Sequence, residues 1–194
     1  RKLPKYDLDK VSLPIVKTVD IDTTTITENT VEVKGIVESD GGAIVTKSGI
    51  CWGISNEPTI EQNDFSTNGP TIGEFKTQIA GLNYNTKYYA RAYASNIKGT
   101  EYGNQVVFTT AIPLSKIRTL AAQNITMNSV TIGGEITEFE ETVTTRGVCW
   151  SSDHDPTIND DTKKVAEAND NPFIITITGL NPSTIYKIRA FAVN

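Results

Sequence analysis

The chain carries one domain written twice. GICWG at 49–53 returns as GVCWS at 147–151, and PTI at 58–60 returns at 156–158. GLNYNTKYYARAYASN at 81–96 returns as GLNPSTIYKIRAFAVN at 179–194. From Val45 and Val143 onward the offset is 98 positions without a gap. About a third of the paired residues are identical, far above chance for an internal comparison. Upstream, PIVKTVDIDTTTIT at 14–27 parallels PLSKIRTLAAQNIT at 113–126 at an offset of 99. The lost residue falls between Gly35/Gly134 and Val45/Val143, in a turn, where insertions are tolerated.

The repeat unit has the pattern of strands. TVEVKGIV at 30–37 places Val31, Val33 and Val37 on alternating sites. SVTIGGEI at 129–136 does the same with Val130, Ile132 and Ile136, and FKTQI at 75–79 matches FIITI at 173–177. SDGG, SNEP and TNGP punctuate these runs as turns, and no amphipathic helix is evident. The expected fold is all-β: two tandem immunoglobulin-like antiparallel β-sandwiches, with an N-terminal linker at 1–13, a first domain at 14–110 and a second at 111–194. FTTAIP at 108–113 joins them, short and stiffened by Pro113.

The first domain continues past Asn96 into IKGTEYGNQVVFTT, whose Val106 and Phe108 suit a final strand. The second stops at Asn194, so it is expected to lack that strand and to leave the preceding one as an unpaired edge. The chain, starting at Arg1, is read as part of a longer protein, and any export signal or membrane attachment would lie upstream.

Composition narrows the function. The net charge is −5 over 194 residues, and both domains are mildly acidic. Neither has the basic face that releases phosphate counterions, which argues against nucleic acid as a partner. One histidine, His154, stands in a loop with no marked nucleophile. No phosphate-cradling glycine loop or His/Cys cluster occurs, so no cofactor, metal or catalytic residue is expected. The acidic run DHDPTINDD at 153–161 is broken by Pro156 and Ile158 and is read as a solvated loop. Cys51 and Cys149 occupy one site in successive copies and are read as packed free thiols.

Leu180, Pro182, Thr184 and Tyr186 form an L-x-P-x-T-x-Y run, with Leu82, Thr86 and Tyr88 in the first copy, where Tyr84 replaces the proline. This resembles the start of strand F in fibronectin type III domains. The wider string GICWG…NEPTI…GLNYNTKYYARAYASN is similar to a fibronectin type III-like repeat of Bacteroidetes surface and secreted proteins. The resemblance spans nearly all of 14–194 and implies a tyrosine corner at Tyr88 and Tyr186. It implies a structural or presentation module of a cell-surface or secreted protein. Adhesion or carbohydrate binding, and an accessory role beside a polysaccharide-degrading enzyme, are the alternatives.

Alternation puts Tyr88, Ala90, Ala92 and Ala94 on one face and Tyr89, Arg91 and Tyr93 on the other, and the tyrosine corner that the resemblance implies turns the Tyr88 face inward. Trp52 and Trp150 would fill the space above the alanines, and Cys51 and Cys149 would point to the outer face. Arg91 and Arg189 would lie beside Tyr93 and Phe191 in an outer-face ladder. If the chain has a protein or glycan ligand, the candidate contact residues are Tyr89, Tyr93 and, near a loop tip, Phe139.

Overall fold

The computed structural model describes residues 7, 9–160, 162–167 and 169–194. The chain divides into two compact units at Ala111/Ile112. In the first, β1 (Ile15–Thr18), β2 (Val31–Ser39) and β5 (Gly73–Ile79) form one antiparallel sheet in the order β1-β2-β5. The facing sheet runs from β4 (Asp64–Phe65) through β3 (Lys47–Gly53) to β6 (Lys87–Asn96). Two short strands, β7 (Gly99–Tyr102) and β8 (Val106–Thr109), pair in turn with the far edge of β6. The expected final strand is therefore broken in two, with Asn104 at the break accepting the Thr18 amide at 3.1 Å.

The second unit repeats this plan: β9 (Lys116–Thr119), β10 (Ser129–Glu138) and β13 (Phe173–Thr178) face β11 (Thr145–Ser151), β12 (Lys163–Val165) and β14 (Lys187–Val193). The orders are β13-β10-β9 and β12-β11-β14. Among the described residues β14 is an edge strand, and the second sandwich lacks its last strand. Each unit is an immunoglobulin-like, fibronectin type III-like sandwich.

Period-two alternation builds both cores. Val31, Val33 and Val37 of β2 meet Ile50 of β3, Phe75 and Ile79 of β5, and the alanines of β6. Val130, Ile132, Val148, Phe173, Ile175 and Ile177 do so in the second unit. Trp52 and Trp150 pack against these cores while staying half-buried. The tyrosine corner is present twice: the Tyr88 hydroxyl accepts the Asn83 amide at 3.0 Å, and the Tyr186 hydroxyl accepts the Asn181 amide at 3.0 Å.

The first strands correct the upstream alignment. Thr18 pairs with Gly35 and Thr119 with Gly134. The Thr18 hydroxyl accepts the Ala92 amide at 2.9 Å, as that of Thr119 accepts the Ala190 amide at 3.0 Å. Thr18 thus corresponds to Thr119, an offset of 101 rather than 99. The two extra residues of the first copy lie between Thr18 and Thr27, where a 3-10 turn at Thr23–Thr25 is capped by Asp22.

The same offset extends the first domain backwards. The Asn96 side chain donates to the Ser12 carbonyl at 2.8 Å, as Asn194 donates to the Pro113 carbonyl at 2.7 Å. Val11 is buried and the Ser12 amide donates to the Gly41 carbonyl at 2.8 Å. Residues 11–13, assigned to the linker from sequence, are therefore packed on the domain.

Candidate functional site

The expected parity of β6 holds on its inner side, where Tyr88, Ala90, Ala92 and Ala94 are all buried. Its outer side is not the open face that the alternation suggests, because the loop between β3 and β4 folds back over it. Pro58 in that loop is fully buried, and its carbonyl accepts the Cys51 thiol at 3.2 Å. The Ile60 amide donates to the Tyr102 hydroxyl at 3.2 Å, which donates to the Glu61 carboxylate at 3.0 Å. The Arg91 guanidinium lies 4.7 Å from the Tyr102 ring centroid, and its Nε donates to the Gly103 carbonyl at 3.1 Å. Arg91 thus stacks on Tyr102, a ring with no partner in the repeat pattern, rather than on Tyr93.

Tyr93 is fully buried, which corrects its place among the contact residues. Its hydroxyl donates to the Ser66 carbonyl at 2.7 Å, and Phe65 meets its ring edge-on at 6.2 Å. A ring sealed this way anchors the β4 segment and presents no surface to a ligand. Burial pushes the Tyr93 phenol up, and the Tyr102 phenol up to about 12, so both stay neutral donors at physiological pH.

The repeated motif makes sense within this layer. A Cβ on Gly49 would sit 2.1 Å from the Ser66 carbonyl oxygen and 2.9 Å from the Tyr93 ring. On Gly147 it would sit 2.3 Å from the Lys164 carbonyl oxygen and 2.7 Å from the Phe191 ring. The glycine admits the neighbouring strand, the cysteine fills the space beneath the buried proline, and the tryptophan faces the opposite core. Both cysteines point away from that core, as expected, but lie buried and free. Desolvation raises the Cys51 thiol to about 11 and pushes the Cys149 thiol up as well.

The other candidates are dispersed. Tyr89 is half-buried, with the Lys87 ammonium 5.3 Å from its ring centroid. Phe139 is in the second unit, half-buried, with a left-handed φ of 56°. Its carbonyl accepts the Ser115 hydroxyl at 2.9 Å. Residues that the sequence did not flag hold the loops. Arg146 is 5% exposed, and its Nη1 donates to the Glu140 carboxylate at 2.9 Å and the Asp170 carbonyl at 3.1 Å. Arg146 and then Asn171 hold the Glu140 carboxyl below the usual carboxylate range. The counterpart of Arg146 is Ser48, so repetition did not mark it. Asn96 and Asn194 do repeat, and that signal was available.

Among the described residues, serine, histidine and aspartate side chains meet at His154. Its Nδ1 lies 2.8 Å from Asp153 and 3.0 Å from the Ser151 hydroxyl, and its Nε2 lies 3.2 Å from Asp160. The serine, however, ends β11 and holds the turn that follows: it donates to Asp153 at 2.6 Å and accepts the amides of Asp153 and His154. Asp153, then Asp160, raise the imidazole pKa, which favours the imidazolium over the neutral ring that could take up a proton. Asp155 is bound to Lys187 at 2.8 Å. Asp161 lies outside the described residues. Among the described residues no three His, Cys, Asp or Glu side chains gather as a metal would need, and no helix is long and apolar enough to cross a membrane.

No family model matches the chain, and no curated protein matches it. Among solved structures it is similar to a two-domain fibronectin type III segment of chicken tenascin, at 17% identity and a TM-score of 0.46, over 94% of this chain and 91% of that one. It is similar to the sensor domain of the anti-sigma factor RsgI4 of Pseudobacteroides cellulosolvens, at 15% identity and a TM-score of 0.40, over 52% of this chain and 97% of that one. A structure described as a myokine is 19% identical with a TM-score of 0.36, over 53% of this chain and 99% of that one. None of the three bears on what this chain binds.

Proposed function

We propose that the chain is a non-catalytic spacing and presentation module of a larger cell-surface or secreted protein. One observation carries this reading: what the two copies share is spent on architecture. Gly49/Gly147 admit a neighbouring strand, Cys51/Cys149 and Pro58/Pro156 are buried together with their copies' outer layers, Tyr88/Tyr186 close the corner, and Asn96/Asn194 fasten the first strand. What they do not share is the exposed chemistry a binding site would need: Tyr89 becomes Lys187 and Tyr84 becomes Pro182. Repetition that preserves the scaffold and lets the surface drift fits a unit whose product is distance. The resemblance to repeats of surface and secreted proteins supports the location.

The test is a glycan and extracellular-matrix array probed with the whole chain, alongside its Tyr89→Ala and Phe139→Ala variants. The expected result is no saturable signal. Saturable binding that disappears in either variant overturns the spacer reading and makes that domain a recognition module.

A further inference from the structure

Asn68 links the two sheets of the first sandwich. Its backbone is fastened to one of them: the Asn68 amide donates to the Ser48 carbonyl of β3 at 2.7 Å, and the Ser48 hydroxyl donates to the Gly69 carbonyl at 2.8 Å. Its side chain is fastened to the other. The carboxamide donates to the Lys76 carbonyl of β5 at 2.9 Å and accepts the Thr77 hydroxyl at 2.8 Å. The Ser66 hydroxyl completes the link, 3.3 Å from the same Asn68 oxygen and 2.9 Å from the Thr77 hydroxyl. The Ser66 carbonyl in turn accepts the Tyr93 hydroxyl, so the linked segment is the cover of Tyr93.

The link lies at an edge that opens more readily than the core. β4 beside it is two residues long, and Asp64 and Phe65 are both exposed. Asn68 is half-buried and is followed by glycine, in the single Asn-Gly pair of the sequence. Asparagine is a thermolabile residue, and glycine has no Cβ to keep its nitrogen from the preceding side chain. The second domain has Ala166, Glu167 and Ile175 in place of Asn68, Gly69 and Thr77. Ala166 keeps the backbone bond, to the Arg146 carbonyl at 2.9 Å, but its side chain packs on the core. The amide link is therefore not part of the shared plan.

We propose that Asn68 is a self-modification site whose conversion releases the β4 edge. When the edge opens, the Gly69 nitrogen attacks the side-chain carbonyl carbon of Asn68. A C–N bond forms, the side-chain nitrogen leaves as ammonia with the Gly69 amide proton, and a succinimide results. Water then breaks one ring C–N bond, leaving aspartate or isoaspartate; nothing is oxidised or reduced. Either product sets an ionised carboxylate, which has no proton to donate, where the carboxamide met the Lys76 carbonyl. In isoaspartate the main chain is also a methylene longer. The link then fails to re-form, and Tyr93 loses its cover. While the edge is closed, Lys76, Thr77 and Ser66 hold the carboxamide away from the attack.

The test holds the whole chain at mildly alkaline pH, folded and in denaturant. Mass spectrometry and an isoaspartate assay follow the peptide containing residues 68–69. Conversion is expected in both, about a hundredfold slower in the folded chain. Thr77→Val keeps the side-chain shape and removes the hydroxyl that fixes the Asn68 oxygen. It should quicken conversion of the folded chain about fivefold, as the loss of one hydrogen bond predicts, and leave the rate in denaturant unchanged. Asn68→Gln, which would have to close a larger ring, should not convert. Asn68→Asp stands for the product. In a Trp150→Phe background it should lower the denaturant midpoint followed through Trp52, and in a Trp52→Phe background it should leave that of Trp150 in place. Equal rates in folded and denatured chain, no conversion in denaturant, or a folded rate indifferent to Thr77→Val overturns the proposal. A Trp52 midpoint unmoved by Asn68→Asp overturns it as well, because the link then holds nothing.

Discussion

A methyl group is enough to test the GxCW motif. At Gly49 or Gly147 it would meet a carbonyl oxygen of the neighbouring chain segment, a backbone atom that cannot swing aside. Gly49→Ala and Gly147→Ala should each lose about 1–3 kcal/mol by overpacking. Denaturant titration followed through Trp52 or Trp150 measures each loss in its own domain. The cysteine two residues on is held as a neutral thiol, Cys51 by a pKa raised to about 11. At pH 8 neither cysteine should react with a thiol reagent in the native chain, and both should react in denaturant. Rapid native labelling of Cys51 would mean that the proline cover is not closed.

Two charged groups at this scale give opposite pH dependences. The His154 pKa is raised above the ordinary histidine value of 6.5, so its contribution is full below that value and fades as pH rises through the folded pKa. The Glu140 pKa is lowered from 4.5, so its contribution is full above that value and fades as pH falls through the folded pKa. NMR titration of the single histidine should show a value above 6.5 that drops in Asp153→Asn. An unchanged value in that variant would remove Asp153 as its main partner.

Among the elements, β6 and β14 were the easiest to read from sequence. Period-two alternation sorts their inward residues, and the tyrosine fixes the corner; Tyr88→Phe and Tyr186→Phe should each cost about 0.5–1.5 kcal/mol, read by thermal unfolding. The outer layer was not readable. Alternation says which side of a strand faces a core, but not that a loop twenty or more positions away covers the other side, as the segment holding Pro58, Ile60 and Ser66 does. That is why Tyr93 looked like a contact residue: an aromatic on a nominally outward position has no local sign of its lid. Truncating it tests the point, since Tyr93→Ala should cost about 3–5 kcal/mol as a core deletion does, far more than an exposed ring. The first strand was misaligned for a similar reason. Pro14 and Pro113, with a lysine three positions after each, favour one offset by identity. Long-range partners, Gly35 with Thr18 and Asn96 with Ser12, impose another.

For the whole molecule the unequal sandwiches have an energetic consequence. Burying a valine or phenylalanine side chain contributes about 1.5–3 kcal/mol each, against a typical domain stability of about 5–15 kcal/mol. The second domain, which has no counterparts of buried Val106 and Phe108 among the described residues, should therefore unfold first. Each domain has one tryptophan, so the variants Trp52→Phe and Trp150→Phe separate the two transitions. The Trp150 midpoint should come at the lower denaturant concentration, and coincident or inverted midpoints would show that the lost cover is compensated elsewhere.

The burial of one free cysteine in each sandwich, Cys51 and Cys149, gives the chain a memory. A thiol that alkylates only when its own sandwich has opened leaves a permanent mark of that opening. In a sample held under tension and then quenched, peptide mass spectrometry would count labels at 51 against 149 and show which sandwich had opened.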